Sequence, residues 1–304
     1  MIKLKPATKT SLLLLTVFGL LALSDPLSKS AKTVSELFFT NMILQAVIFI
    51  LPALFYCKLT KRKLTHTSYS FSPLPLRPLF LFAALGALVL GSMLINIGIT
   101  AMAGTTQEFS NSASSTLTGI TGASGALYVI FSFCIVPAIS EEFFFRGILL
   151  SEYTESNSTA AFFLTSIAFA ASHFDLYQFP AYLYSGLILA FTLRITRNLI
   201  APILLHTAAN LFNIFVLPYL WQVTLAPLGI LFSIFILAGT LLIITLVVMQ
   251  EAEQIYTEYA TDPRREKDKF SPPNTFLSTL GHGLLAPPYL GAMLLAFIIA
   301  FLAK

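Results

Sequence analysis

A chain of 304 residues that is 56% hydrophobic and only 11% charged, with mean hydropathy +0.81 and net charge +4, lacks the polar surface of a soluble globule. Its Lys and Arg collect at the ends of apolar runs, which excludes a nucleic-acid groove and suits anionic membrane lipid as a partner. Cys57 and Cys134 stand alone in or beside apolar runs, with no CxxC and no ligand-spaced partner, and read as packing residues.

A membrane crossing needs roughly 20 apolar residues. Ser11–Leu23, which follows Lys3, Lys5 and Lys9, is taken as a short first span, because "SDPLSKSAKT" after it offers no convincing cleavage site for a leader peptide. Further spans are predicted at Val34–Tyr56, Pro78–Ala103, Ser124–Leu150, Ser158–Ser172, Tyr177–Ile195, Leu199–Pro218, Val223–Gln250 and Leu284–Ala303. The expected fold is all-α, a polytopic transmembrane helical bundle of about eight or nine spans. It divides into N-terminal helices with an outer loop (1–123), a core (124–218) and C-terminal helices with a charged segment (219–304).

Counting Lys and Arg orients this bundle. If the amino terminus is cytoplasmic, then "KLTKRK" (Lys58–Lys63), Arg194 with Arg197, and "DPRREKDK" (Asp262–Lys269) share that side, while Gly104–Ala123 on the other side has no Lys or Arg. Lys29 and Lys32 dissent and are too few to reverse the assignment. The expected location is an integral, multi-pass one in a bacterial-type plasma (inner) membrane. Gly104–Ala123 is rich in Gly, Ser and Thr and reads as a mobile outer loop. Glu251–Lys269 mixes charges at helical spacing and reads as a solvated extension of the eighth span.

An ionised residue near the bilayer centre costs about 2.5 to 3.5 kcal/mol on the insertion scale, so polar residues inside spans persist where something pairs with or uses them. Here they are Glu141, Glu142, Arg146, His173, His206, Asn210 and Asn213, all on three neighbouring runs; Asn41, Gln45 and Asn96 read as isolated amides elsewhere. Glu142 and Arg146, four apart, can pair on one helical face. Glu141 is turned about 100° away and stays free to exchange a proton. "FAASH" sets Phe169 one turn before His173, and "HTAAN" sets His206 and Asn210 on one face. Counting about 1.5 Å per residue from turns near Asn157 and Arg197 puts Glu141 and His173 roughly 24 Å deep and Asn210 roughly 20 Å deep, in one layer.

A glutamate, two histidines and an asparagine around one cavity can activate a water and bind the oxyanion formed when that water attacks a carbonyl. No GxSxG elbow, no HExxH and no Cys beside these histidines competes with that reading. Glu141, His173 and His206 with an open water position would also make a reasonable divalent-metal site, zinc among the candidates, and a metal-free site can be written from the same residues; the cofactor stays open. Two rival readings use the same cluster: a proton- or cation-coupled transporter, and a non-catalytic immunity or binding protein.

The three pieces "EEFFFR", "FAASH" and "HTAAN" resemble, in order and spacing, the EExxxR, FxxxH and HxxxN motifs of the CAAX-processing and bacteriocin-processing (CPBP, or Abi) family of intramembrane proteases. The resemblance covers about Ser124 to Pro218. It implies an endopeptidase acting on a membrane-associated, hydrophobic or lipidated protein, with Glu141 as catalytic base and His173 as its partner on the attacking water. It further implies that His206 and Asn210 support the oxyanion, that Glu142 and Arg146 hold the helix geometry, and that Phe169 fills the aromatic position of the second motif. Both a metalloendopeptidase and a metal-free scheme are argued for that family.

Overall fold

A computed structural model describes residues 6–29, 33–61, 77–103, 123–154, 156–224, 229–261 and 275–302. Among these the chain forms eleven helices and no strand. They are α1 (Pro6–Lys29), α2 (Ser35–Thr60), α3 (Pro78–Ala103), α4 (Gly125–Thr154), α5 (Ser158–Ala171), α6 (Phe179–Thr196), α7 (Ile200–Phe215), α8 (Leu217–Thr224), α9 (Gly229–Thr261), α10 (Phe276–Leu284) and α11 (Pro287–Leu302). The Gly/Ser/Thr-rich loop expected at 104–123 and the charged stretch 262–269 lie, but for Ala123, outside the described residues, as do Lys3 and Lys5.

Each of the nine predicted apolar runs contains helix among the described residues, but the helices differ in length. Five helices (α2, α3, α4, α6 and α9) are long and apolar enough to cross a membrane, and α10 with α11 makes a sixth if the pair is one span bent by 62°. The apolar parts of α1, α5 and α7 are shorter. α5 has 14 residues and α7 has 16, about 21 and 24 Å of helix, against a hydrocarbon core about 30 Å thick. Prolines explain where several predicted spans break. Pro218 starts α8, so Leu199–Pro218 ends as a helix at Phe215, and Pro287 and Pro288 open α11 after the bend that splits the predicted last span. Proline lacks an N–H and disfavours helix in the residue before it. α9 starts at Gly229 rather than Val223 and runs on to Thr261, in keeping with a helical extension past Gln250.

Two long helices contain wide turns, and each wide turn stands next to a proline. In α2 the stretch Ala46–Ile50 is π-helical just before Pro52, and in α4 Ile130–Ile135 is π-helical just before Pro137. The ring at each proline cannot donate to the carbonyl four residues back and crowds it, so the helix widens there. A further π-helical stretch, Phe143–Leu150, follows directly after Glu142.

α4 is the axis of the bundle. α2, α5, α6 and α7 pack on it, and α6 fills the space between α5 and α3. One hydrophobic cluster runs from Leu13 in α1 to Ala296 in α11, through Phe144, Phe145 and Phe169. α9 packs lengthwise on α3, yet none of its most apolar window is buried, which fits a helix facing lipid.

Candidate active site

The short helix α5 delivers His173. Asn157 caps it, its side chain accepting from the N–H groups of Thr159 and Ala160, and the last helical residue is Ala171. His173 thus sits in the turn beyond the helix end. Its Nδ1 is 2.9 Å from the Phe169 carbonyl oxygen, to which it donates, so the ring presents Nε2 as an acceptor. Phe174 follows at φ 52°, an uncommon left-handed conformation for a bulky residue. Asp175 then accepts from the N–H groups of Tyr177 and Gln178 and leads the chain into α6. From α6, Tyr182 stacks on the imidazole of His173, with centroids 3.8 Å apart and planes 17° from parallel.

On α4 the expected pair of Glu142 and Arg146 is present, with Arg146 Nη1 donating to Glu142 Oε1 at 2.7 Å and both side chains fully buried. Arg146 Nη2 donates to the Gly186 carbonyl at 3.0 Å, and its guanidinium lies 4.4 Å from the centre of the Phe169 ring. The same Glu142 oxygen accepts from His206 Nδ1 at 2.9 Å. A carboxylate that takes Nδ1–H fixes the orientation of the ring, and His206 Nε2 is left 4.0 Å from Glu141 Oε2. That Glu141 oxygen is buried and has no hydrogen-bond partner among the described residues. Two carboxylates therefore hold His206 between them, a contact across α4 and α7 that spacing along one helix could not reveal.

Asn210, one turn beyond His206, donates from Nδ2 to the Phe133 carbonyl at 3.4 Å. Phe133 is the residue four before Pro137, whose missing N–H cannot serve that carbonyl, so the proline that widens α4 also prepares the seat for Asn210. Phe169 joins the parts: its ring meets His173 edge-on at 5.0 Å, His206 at 5.6 Å and Phe145 at 5.4 Å.

A cavity of about 220 Å³ opens beside these groups. His173, His206, Asn210 and Tyr182 line it, together with Asn213 from α7 and Ser92 and Asn96 from α3. Glu141, 8% exposed, stands behind His206. The sequence reading placed no partner on Gln45 and did not single out Tyr182 or Gly186. Gln45 lies beside this site, because its side-chain oxygen is 3.1 Å from the Oγ of Ser140, the residue before Glu141. An amide inside an apolar helix was the available signal for it. For Tyr182, in a run with two tyrosines, there was none.

Glu141, His173 and His206 do not assemble as a metal-ligand set. Among the described residues no three His, Cys, Asp or Glu side chains converge closely enough to hold an ion.

Residues 123–212 match the family model described as Rce1-like, type II CAAX prenyl endopeptidase Rce1-like. No curated protein and no solved structure matches the chain. The matched segment contains all three motifs, with Glu141, Glu142, Arg146, Phe169, His173, Tyr182, His206 and Asn210, while Asn213, Ser92, Asn96 and Gln45 lie outside it. Residues 123–212 of this chain are therefore similar to the Rce1-like family of CAAX proteases, in agreement with the resemblance drawn from those motifs.

Proposed function

We propose that this integral membrane protein is an endopeptidase that uses Glu141 and His173 to activate a water for attack on a peptide carbonyl of a membrane-associated or lipidated substrate. The observation that supports the reading best is the buried contact between Glu141 and His206, with Glu142 and Arg146 behind it and a polar cavity alongside, all within the Rce1-like segment.

In this reading the water bridges Glu141 and His173. His173, whose Nδ1 is tied to Phe169, accepts one hydrogen bond at Nε2, and Glu141 removes the other proton as the water oxygen bonds to the carbonyl carbon. The tetrahedral oxyanion takes a hydrogen bond from Asn210. An imidazole that donates at Nδ1 donates at Nε2 as well only when it carries both protons, and Glu142 is the counter-charge such a ring needs to serve the same oxyanion. When the C–N bond breaks, the proton held by Glu141 goes to the leaving amine, which restores the carboxylate. Neither Ser nor Cys enters the scheme.

The site residues and this division of labour are proposals, as are a core domain at 124–218, a bacterial-type plasma membrane and a cytoplasmic amino terminus. The test is cleavage of a prenylated peptide ending in a CAAX box, and of an unprenylated membrane peptide, by purified protein with and without a chelator. Cleavage by wild type and none by Glu141→Ala is the expected result, and the chelator arm decides between the metal-dependent and the metal-free form of the site. Equal cleavage by both proteins would end the proposal.

A further inference from the structure

We propose that the catalytic cavity opens at the non-cytoplasmic end of the bundle, so that the substrate is an exported polypeptide held at the outer leaflet, an assignment that rests on the protease reaction proposed above. The bundle has two distinct ends. At one, the start of α1 meets the ends of α2 and α4, through Ser11 with Tyr153 and Tyr56 with Glu152. Leu199, just before α7, lies beside Gly147 late in α4. Arg77, just before α3, pairs with Gln254 and Glu258 late in α9, while the opposite parts of α3 and α9 meet at Met93, Ile97, Ile230 and Ile234, beside Leu217 past the end of α7. Lys9, Lys58, Lys61, Arg77, Arg194 and Arg197 therefore gather at the first end, with Lys29 at the other end of α1 standing against them. Residues 172–178 and 216–228, which lead from α5 to α6 and from α7 through α8 to α9, contain no Lys or Arg. Basic residues mark the cytoplasmic side.

The cavity lies toward the end without these charges. Counted from the basic end, its walls begin only at Leu88 on α3 and His206 on α7, and on α6 they run from the cap Gln178 to Leu189, short of Arg194. α5 has 14 residues, so it covers about 21 Å of a hydrocarbon core about 30 Å thick, and His173 in the turn beyond it sits nearer the other interface. Tyr177 and Tyr219, both exposed, stand at that end, where amphipathic rings settle at the headgroup level. Between the site and the basic end the space is filled, since Phe145, Ile148, Leu149, Leu193 and Leu199 are all buried. A cytoplasmic polypeptide would have to cross this packed layer, whereas one on the other side meets Gln178 and Asn213 first. The uncharged amides and hydroxyls of Ser92, Asn96, Gln178 and Asn213 on the cavity wall suit the main chain of an extended peptide.

Thiol labelling tests the sidedness without any substrate. In the full-length protein lacking Cys57 and Cys134, Gln178→Cys and Asn213→Cys each place a thiol on the cavity wall, and Lys61→Cys places one at the basic end. Two cavity positions are used so that misfolding of one variant leaves the other. A charged, membrane-impermeant maleimide is expected to label both cavity thiols in right-side-out vesicles and Lys61→Cys only in inverted ones. Cavity thiols labelled only in inverted vesicles, or in neither, overturn the inference. Cleavage tests the consequence, with purified protein reconstituted in liposomes and the unprenylated membrane peptide added outside. Cleavage should rise with the fraction of molecules that hold Lys61→Cys inside, and should be lost in Glu141→Gln. Cleavage that rises with the opposite fraction overturns the sidedness and leaves the protease reading standing. No cleavage in either orientation would instead remove the protease reading, and the labelling would still decide where the cavity opens.

Discussion

Glu142 serves two partners, and its substitution should separate structure from chemistry. Both Arg146 and His206 bond the same buried oxygen, so Glu142→Leu leaves a buried guanidinium without a counter-charge. Breaking a buried pair from one side costs about 3 to 5 kcal/mol, so the thermal midpoint of Glu142→Leu should fall by several degrees alongside activity. Asn210→Ala should behave differently. Its amide is half-buried and makes one long hydrogen bond, so the fold should keep its melting temperature while kcat drops by roughly 10² to 10³ through loss of an oxyanion donor. Much of this was legible in the sequence, because i,i+4 spacing fixes which groups share a face: Glu142 with Arg146, Phe169 with His173, His206 with Asn210. The pairing of His206 with Glu142, and the approach of Gln45 to Ser140, were not legible. Both join different helices, and neither the rotation nor the depth of a helix follows from its own apolar pattern.

Helix geometry sets these rotations, and glycine and proline set helix geometry. A Cβ added at Gly186 would lie 3.2 Å from the backbone and side chain of Ser166, so its absence lets α6 approach α5 closely there, and the carbonyl that receives Arg146 comes with it. Gly186→Ala should destabilise the protein by about 1 to 3 kcal/mol, read as a lower thermal midpoint. Pro137→Ala should act on chemistry instead. Restoring an N–H permits a regular α-turn in α4, which would turn Glu141 and Glu142 relative to α7; an activity loss on the order of 10²-fold with unchanged helical circular dichroism is the expected outcome. The nine apolar runs were visible in composition, but the shortness of α5 and α7 was under-read. α5 ends beside the cavity, where His173 and its turn find partners, and irregular backbone at membrane depth is tolerated where protein or a cavity satisfies it.

The matched segment does not build the site alone. α2 contributes Gln45, and α3 contributes Ser92 and Asn96 to the cavity wall. α1 and α2 are fastened to the far end of α4 by Ser11 to Tyr153 at 2.8 Å and Tyr56 to Glu152 at 2.9 Å. These polar links tie the N-terminal helices to α4 within the same core cluster. The charge rule predicts that a single cysteine placed at Lys61, in a background lacking Cys57 and Cys134, is labelled only from the cytoplasmic side, and one placed within residues 104–122 only from the other. Labelling of both from one side would reverse or break that topology.

The account depends most on Glu141 as the base that activates water. The direct measurement is kcat for cleavage of a prenylated CAAX peptide by wild-type and Glu141→Gln protein of equal thermal midpoint. The account predicts a fall of at least 10²-fold, within the range typical of a lost general base. A Glu141→Gln protein that cleaves at the wild-type rate would contradict it.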